Sequence, residues 1–481
     1  MAVEVLNRIG SDRVGASDGA TFERRNPADL RHVVSVAPES TEADVRDAVG
    51  AALEAAAAWR RTTPTQRADV LAKAARALAA KTDELARDMV AEEGKPLADA
   101  RNEASRTPKN LELYAGEAYR LCGATFPSDD TPLVYSVLDP VGVVGVITPW
   151  NFPLNMASRK IGPALAAGNT VVFKPSPMTP LMGDHLAEAF AAAGLPAGVL
   201  NVVHGFGAGA HLVADARVGA VTFTGSNATG AKIHRAMGIG RRVQLELGGK
   251  NPVVVLADAD LDAAADIVAR SSFSLTGQAC TGAGRILADE RIYDELLARV
   301  LRKAAAHVIG PGDRDGVTMG PLVDEHAVAA MEAAVAAARA DGATLATGGE
   351  RLVDGDLAEG CFFPPTVLAE ARPDMALSCN EVFGPVIGFE RISGIDEAIA
   401  SANNVEYGLS AAICTRDLVA AQRFAAESQA GMVRINRPTV GAAFNAPFGG
   451  IKQSGTATHK EQLGPTVMDF YTVMRTVWLG S

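Results

Sequence analysis

Four short segments carry residue types that could do chemistry together. Gly277-Gln278-Ala279-Cys280-Thr281 presents a cysteine, and Leu245-Glu246-Leu247-Gly248-Gly249-Lys250 presents a glutamate 34 residues before it. Thr148-Pro149-Trp150-Asn151-Phe152-Pro153 presents an asparagine, and Glu381-Val382-Phe383-Gly384-Pro385 a second glutamate. A thiolate is a strong nucleophile toward a carbonyl carbon. A carboxylate can take the proton of a thiol or a water. A side-chain amide can donate to the oxyanion that such an addition leaves. Each residue also has a plain reading. A Cys among small residues packs in a core, a Glu before Gly-Gly lies on a solvated turn, and an Asn between Trp150 and Pro153 forms a turn. The eight His residues lie outside all four segments and read as structural, so a Cys–His hydrolase has no support. The five Cys are sparse and odd in number, with no CxxC pair and no HExxH, which argues against a disulfide framework and a zinc site. No metal is expected.

The elements that would position these residues alternate between buried strands and helices. Residues 141–148 (VGVVGVIT) and Thr170–Lys174 (TVVFK) are continuous apolar runs of strand length. Shorter strands are expected over 199–203, 220–224 and 243–247, with helices between them. Helices are also expected over 40–60, where Thr41 and Asp44 fit a capping box, and over 65–91, 181–193, 260–273, 294–308 and 327–339. Continuous apolar strands alternating with helices mean a parallel sheet covered on both faces. The segments 133–138 and 470–479 read as strands outside any such unit, with edges that need a partner. Gly205-Phe206-Gly207-Ala208-Gly209-Ala210 follows a strand and matches GxGxxG/A, but the acid expected about 20 residues later is missing. It reads either as a dinucleotide turn or as a plain strand-to-helix turn.

Composition narrows the class. Hydrophobic residues at 48% and charged residues at 21% exclude disordered and collagenous chains. The net charge of −11 excludes a general nucleic-acid binder. No apolar run reaches the ~18 residues that span a bilayer, and the N-terminus lacks a secretory pattern. A cytoplasmic location is expected, with no membrane partner.

Taken in order and spacing, the four segments resemble the NAD(P)-dependent aldehyde dehydrogenase superfamily. Phe223-Thr224-Gly225-Ser226, Tyr407-Gly408-Leu409 and Pro447-Phe448-Gly449-Gly450 add to the likeness, which is nearest to succinate-semialdehyde and 2-oxoglutarate-semialdehyde dehydrogenases. The resemblance implies an α/β fold with three parts. A Rossmann-type coenzyme domain takes 1–121 and 141–252, an α/β catalytic domain takes 253–452, and a β bridging element takes 122–140 and 453–481. Through that element a homodimer or homotetramer forms. Cys280 is implied as nucleophile, Glu246 as base, and Asn151 with the Cys280 backbone N–H as oxyanion donors. NAD or NADP would lie against Ile147, Thr148, Pro149 and Trp150 at one strand end, and against Lys174, Ser176, Pro177 and Gly207 at the adenine side. Ser226 would donate to the pyrophosphate, Glu381 and Phe383 would contact the nicotinamide ribose, and Phe223, Thr224, Gly225 and Leu247 are implied as further coenzyme contacts. Phe152, Arg159 and Phe448 would line the aldehyde tunnel.

Three positions depart from the family pattern. Pro177 stands where NAD-preferring members often carry Glu, so both coenzymes are expected to serve. Gly282 replaces a second Cys of some redox-switched relatives. Lys460-Glu461 replaces a common Arg-Glu pair. Arg159 stands where relatives acting on simple aldehydes often carry an aromatic residue, and an Arg fork suits a distal carboxylate. Against this, Ser274 and Ala442 replace an Arg and a Ser common in succinate-semialdehyde dehydrogenases, while Arg437 in Asn436-Arg437-Pro438-Thr439 offers a second charge. The expected substrate is a carboxylated semialdehyde, such as that of succinate or 2-oxoglutarate. A neutral aliphatic or aromatic aldehyde is the alternative. A CoA-acylating enzyme and a non-catalytic binding protein are more remote, because both Cys280 and Glu246 are present.

Overall fold

Thr41 opens the first long helix as its sequence dictates. Its hydroxyl accepts from the Asp44 N–H, and Asp44 accepts from the Thr41 N–H at 2.8 Å, the reciprocal capping box. In the computed structural model, which describes residues 2–480, this helix runs Glu42–Arg60. The single helical stretch expected over 65–91 is two helices, Pro64–Ala80 and Thr82–Glu93, parted at Lys81. The Thr82 hydroxyl donates to Ala79 O at 2.8 Å, a local bond that competes with the backbone ladder.

The apolar run at 143–147 becomes an interior strand of a seven-stranded sheet because it is buried on both faces. From one edge, the order is Arg242–Glu246, Val218–Thr224, Val143–Ile147, Thr170–Lys174, Leu200–Val202, Asn7–Ile9 and Asp12–Val14. The first five are parallel; Asn7–Ile9 and Asp12–Val14 close the far edge antiparallel. The chain builds outward from Val143–Ile147 through Leu200–Val202, then returns to add Val218–Thr224 on the other side. A crevice opens beyond the carboxyl ends of the strands at such a reversal. Here Thr148-Pro149-Trp150 and Gly225-Ser226 leave those two ends.

Residues 247–250 carry the chain from the end of Arg242–Glu246 into the first strand of a second seven-stranded sheet, Asn251–Val255. Its order is Thr344–Thr347, Thr366–Ala369, Val386–Ile392, Ala283–Asp289, Asn251–Val255, Ser410–Cys414, Met432–Ile435, and only the Thr344–Thr347 edge is antiparallel. Each sheet packs its own apolar clusters.

The two segments expected to await a partner pair with each other. Thr472–Leu479 runs antiparallel to Leu133–Pro140 from Thr472↔Pro140 to Leu479↔Leu133, with Thr125–Phe126 beyond. Phe470 and Tyr471 are not strand; they end a short helix, Val467–Tyr471, buried in the core of the first sheet. The outer edge of Thr472–Leu479 stays open, and Met474, Trp478 and Leu479 are exposed on it. Among the described residues no helix is long and apolar enough to cross a membrane.

Candidate active site

Cys280 lies in the turn before Ala283–Asp289, and that turn has an uncommon shape. Leu275, Thr276 and Gly277 have φ of 53°, 56° and 68° in succession. Non-glycine residues held there cost of order 1–3 kcal/mol each, so surrounding bonds must hold them. Asn251 supplies two: its Nδ2 donates to Cys280 O and Gly282 O, both at 2.8 Å, while its Oδ1 accepts from Ser410 N–H. Gln278 Oε1 accepts from Val323 N–H at 2.9 Å. Gly277 has no room for a side chain, since a Cβ would lie 2.2 Å from Gly384 O.

Asn151 faces this turn. Its Nδ2 donates to Gln278 O at 2.8 Å; an amide nitrogen carries two protons, so one remains for a ligand oxyanion. Its position is fixed from behind. Lys95 Nζ donates to Asn151 O at 2.8 Å, to Glu103 at 2.6 Å and to Glu93 at 2.7 Å, all three side chains being buried. Glu103 Oε1 also accepts from Leu154 N–H and Asn155 N–H, at 3.1 and 3.0 Å. The helix Pro153–Ala166 has no capping side chain of its own, so a carboxylate from the neighbouring helix satisfies its free N–H groups and suits its dipole.

Glu246 ends its strand in a dry place. It is 2% exposed, and neither carboxylate oxygen has a hydrogen-bond partner. Burial raises its pKa well above the ordinary range, with Lys160 and Lys460 opposing. Lys160 is fully buried, donates to the Thr222 hydroxyl at 2.7 Å, and is pulled down to about 7 by burial. Burial also pushes the Cys280 thiol up to about 12, and the Glu246 and Glu381 charges add to this. Burial thus disfavours the charged form of both groups, and a reaction here includes a proton movement between or away from them.

The crevice at the strand reversal has polar atoms without partners. The Thr148 hydroxyl is buried and unbonded at the end of Val143–Ile147, beside buried Ile147 and half-buried Pro149 and Trp150. Lys174 is buried, with its pKa lowered by burial to about 8 while the Glu39 charge opposes the shift. Ser176 is buried and Pro177 half-buried after it. In the GxGxxG-like turn, Phe206 N–H and Gly207 N–H both donate to Glu39, at 2.8 and 3.0 Å. A side-chain carboxylate thus takes the donors that a phosphate cradle would offer. Phe223 and Thr224 are buried at their strand end, Gly225 follows, and exposed Ser226 caps the helix Asn227–Met237. Leu247 is buried in the same region. Glu381 accepts from Gly249 N–H at 3.1 Å, and burial pushes it up to about 7. It comes so close to the 247–250 link that a Cβ at Gly248 would lie 1.9 Å from its oxygen. Phe383, at φ 56°, meets Trp150 edge-to-face at 5.7 Å.

Arg159 sits nearly two turns into Pro153–Ala166, 4% exposed. Among the described residues it has no ion pair, and its Nε is buried without a hydrogen-bond partner. Its guanidinium lies 5.7 Å from the Phe448 ring, and its charge is felt by Cys280. Phe152 covers Lys95 at 4.9 Å. Arg437 is exposed.

A half-buried thiol, a dry carboxyl, an amide donor and the crevice at the strand reversal meet where the two sheets join. The family model of the aldehyde dehydrogenase family matches residues 14–477. The chain belongs to that family. It is 39% identical, over 98% of both chains, to alpha-ketoglutaric semialdehyde dehydrogenase of Bacillus subtilis. It is 40% identical, again over 98% of both, to alpha-ketoglutarate semialdehyde dehydrogenase of Haloferax volcanii. Among solved structures it is similar to the NAD-dependent aldehyde dehydrogenase from Sinorhizobium meliloti, with TM-score 0.95, 37% identity and coverage of 100% of this chain and 95% of that one. It is also similar to 3,6-anhydro-L-galactose dehydrogenase in complex with NAP, with TM-score 0.96, 35% identity and coverage of 99% and 100%. The protein is an aldehyde dehydrogenase with an α/β fold, as the sequence resemblance implies.

Sequence reading passed over Lys95, Glu93, Glu103, Asn251 and Lys160. A signal existed for two of them. Lys95 follows Glu92-Glu93-Gly94 at a helix end, and Lys160 adjoins Arg159 inside an otherwise apolar helix. A charge in a buried run needs a partner, and that question leads to both.

Proposed function

We propose that this aldehyde dehydrogenase oxidises a carboxylated semialdehyde, 2-oxoglutarate semialdehyde foremost, to the dicarboxylic acid with NAD+ or NADP+. The observation that carries the substrate class is Arg159. A buried guanidinium without a carboxylate is costly, and this one lies within electrostatic reach of Cys280. A substrate whose aldehyde meets Cys280 and whose distal carboxylate meets Arg159 supplies the missing anion. The names of the relatives in Bacillus subtilis and Haloferax volcanii support the same class.

In this reading Glu246, with its free oxygens, takes the Cys280 proton, and the thiolate forms a C–S bond with the aldehyde carbon. The carbonyl π pair moves to oxygen, where the free proton of Asn151 Nδ2 and the Cys280 N–H hold it. Lys95 keeps Asn151 in place through the 2.8 Å bond to its carbonyl. A nicotinamide coenzyme held in the crevice would supply the hydride acceptor that the collapse of that oxyanion needs. Once Glu246 has released the thiol proton to solvent, a water gives its own proton to Glu246 as it attacks the thioester on Cys280, and the acid leaves as the C–S bond breaks and its electron pair returns to sulfur. The unbonded Thr148 hydroxyl, unpaired Lys174 and the Glu381 carboxylate fit the coenzyme as hydroxyl, phosphate and ribose partners. Residues 1–121 and 141–252 would form the coenzyme domain, 253–452 the catalytic domain, and 122–140 with 453–481 the assembly element; residues 1 and 481 lie outside the described residues. The open, apolar edge of Thr472–Leu479 supports a homodimer or homotetramer. A cytoplasmic location fits the five free cysteines.

Two expected results test this reading. Arg159→Leu lowers the ratio of kcat/KM for the semialdehyde to kcat/KM for butanal by roughly 10- to 150-fold, the equivalent of about 1.5–3 kcal/mol for a charge-assisted hydrogen bond. A wild type that prefers butanal, or a variant that loses both substrates equally, makes Arg159 structural. Second, both coenzymes serve. Pro177 neither bonds a ribose hydroxyl nor repels a 2′-phosphate, and Lys174 can donate to either. A kcat/KM ratio above about 10³ for NAD+ over NADP+, on the order of 4 kcal/mol, contradicts this.

A further inference from the structure

Arg159 is not the only guanidinium on this wall. Arg106 lies on the neighbouring helix, Leu97–Ala118, which is tied to Pro153–Ala166 by Asn110 Nδ2 donating to Asn155 Oδ1 at 2.7 Å and to Ser158 Oγ at 2.9 Å. The loop that ends at Phe448 receives both arginines. The Arg106 guanidinium stacks 4.5 Å from the Phe444 ring and donates to Ala442 O at 2.9 Å. The Arg159 guanidinium lies 5.7 Å from the Phe448 ring, four residues on. Each meets an aromatic ring of the same loop from a different helix.

Among the described residues neither arginine has a salt bridge. Burial, above all, disfavours the Arg159 charge, and the Arg106 charge adds to this; Tyr114, Cys280 and Glu103 act the other way. Glu103, the carboxylate among them, is already bonded by Lys95 and by two backbone N–H groups. Two like charges placed together without an anion repel, and a structure retains them at a cost that an anionic ligand offsets. Arg159 is buried and Arg106 half-buried, so Arg106 stands at the wetter end of the wall. Arg437, the other cation of this loop, is exposed, and its charge acts on Arg434, whose NH2 donates to Gly441 O.

We infer that Arg106 is a specificity-determining residue that shares the substrate's distal carboxylate with Arg159, forming a two-guanidinium clamp at the outer end of the aldehyde site. This inference rests on the semialdehyde reading and deepens it. A 2-oxo acid presents three acceptor oxygens at that end, more than one fork can pair. The remaining Arg106 N–H groups, beyond the one held by Ala442 O, supply the second set of donors.

The test compares wild type, Arg106→Met, Arg106→Lys and Arg159→Leu with 2-oxoglutarate semialdehyde, succinate semialdehyde and butanal, at low and high salt. Arg106→Met is expected to lower the ratio of kcat/KM for each semialdehyde to that for butanal by about tenfold or more, chiefly through KM. Arg106→Lys should restore part of that ratio, because it keeps the charge and loses the fork. If Arg106→Met leaves the ratio unchanged while all three substrates fall together, Arg106 only braces the loop, and the inference is overturned. Should Arg106→Met fail to fold, a wild-type ratio in Arg106→Lys with no change in its salt dependence overturns it equally. Selectivity lost in Arg159→Leu but kept in Arg106→Met removes Arg106 alone and leaves the semialdehyde reading standing. A wild type indifferent to the carboxylate sinks both.

Discussion

Cys280→Ala abolishes aldehyde-dependent NAD(P)H formation. Without the thiol there is no C–S bond, no tetrahedral intermediate and no oxyanion to expel hydride. Losing a nucleophile from a preorganised site costs on the order of 10⁶ in turnover in hydrolases that act through a covalent intermediate. The variant should still fold, since Cys280 is partly exposed and Asn251 holds its carbonyl rather than its sulfur. The measurement is steady-state NAD(P)H absorbance with saturating aldehyde, set beside the circular-dichroism spectrum of the variant. Turnover within about tenfold of wild type would move the nucleophile elsewhere and end the covalent mechanism.

Glu246→Gln separates the two halves of the reaction. A general base contributes roughly 10²–10⁴-fold, so steady-state turnover falls by that amount. Gln is nearly isosteric, and since both Glu246 oxygens lack partners, no existing hydrogen bond is lost on substitution. If the carboxylate acts mainly on the deacylating water, rapid mixing shows a burst of up to one NAD(P)H per site followed by a slow phase. If it acts mainly on the thiol, the burst itself is slow. Turnover unchanged from wild type would leave Glu246 without a catalytic role. The wild-type pH profile carries the same sign. Both groups must lose a proton to act, and burial raises both, Cys280 to about 12 and Glu246 well above the carboxylate range. A raised pKa in a group needed deprotonated moves the ascending limb of kcat/KM to higher pH, so activity rises from neutral toward alkaline pH. In Glu246→Gln the part of that limb due to Glu246 is lost.

The strand runs and most helix positions were legible in the sequence. Residues 170–174 are strand at the expected bounds, because a five-residue apolar run buried on both faces has no other stable arrangement in this context. Thr41 with Asp44 marked a helix start because the capping box is local, closed by residues three apart. The break at Lys81 was not legible. The helical period continues across it, and it is marked by a side-chain bond from Thr82 to Ala79 rather than by a glycine or proline.

The candidate chemistry was legible for a different reason. Cys280, Glu246 and Asn151 sit in motifs whose order is specific, so their types alone named an acyl-forming oxidation. From the residues alone came the family and the reaction, with Cys280 as the candidate nucleophile. The tertiary structure decided the environment. Asn151 is 56 residues from Lys95 and 127 from Gln278, yet bonds both. Glu39 fills the turn at Phe206 and Gly207 from 167 and 168 residues away. Arg106 meets the loop at Ala442 across 336 residues. Bonds of this kind depend on how helices and sheets pack, and periodicity and short motifs carry no record of that. For the same reason only the fold shows that Arg159 is buried and, among the described residues, has no ion pair.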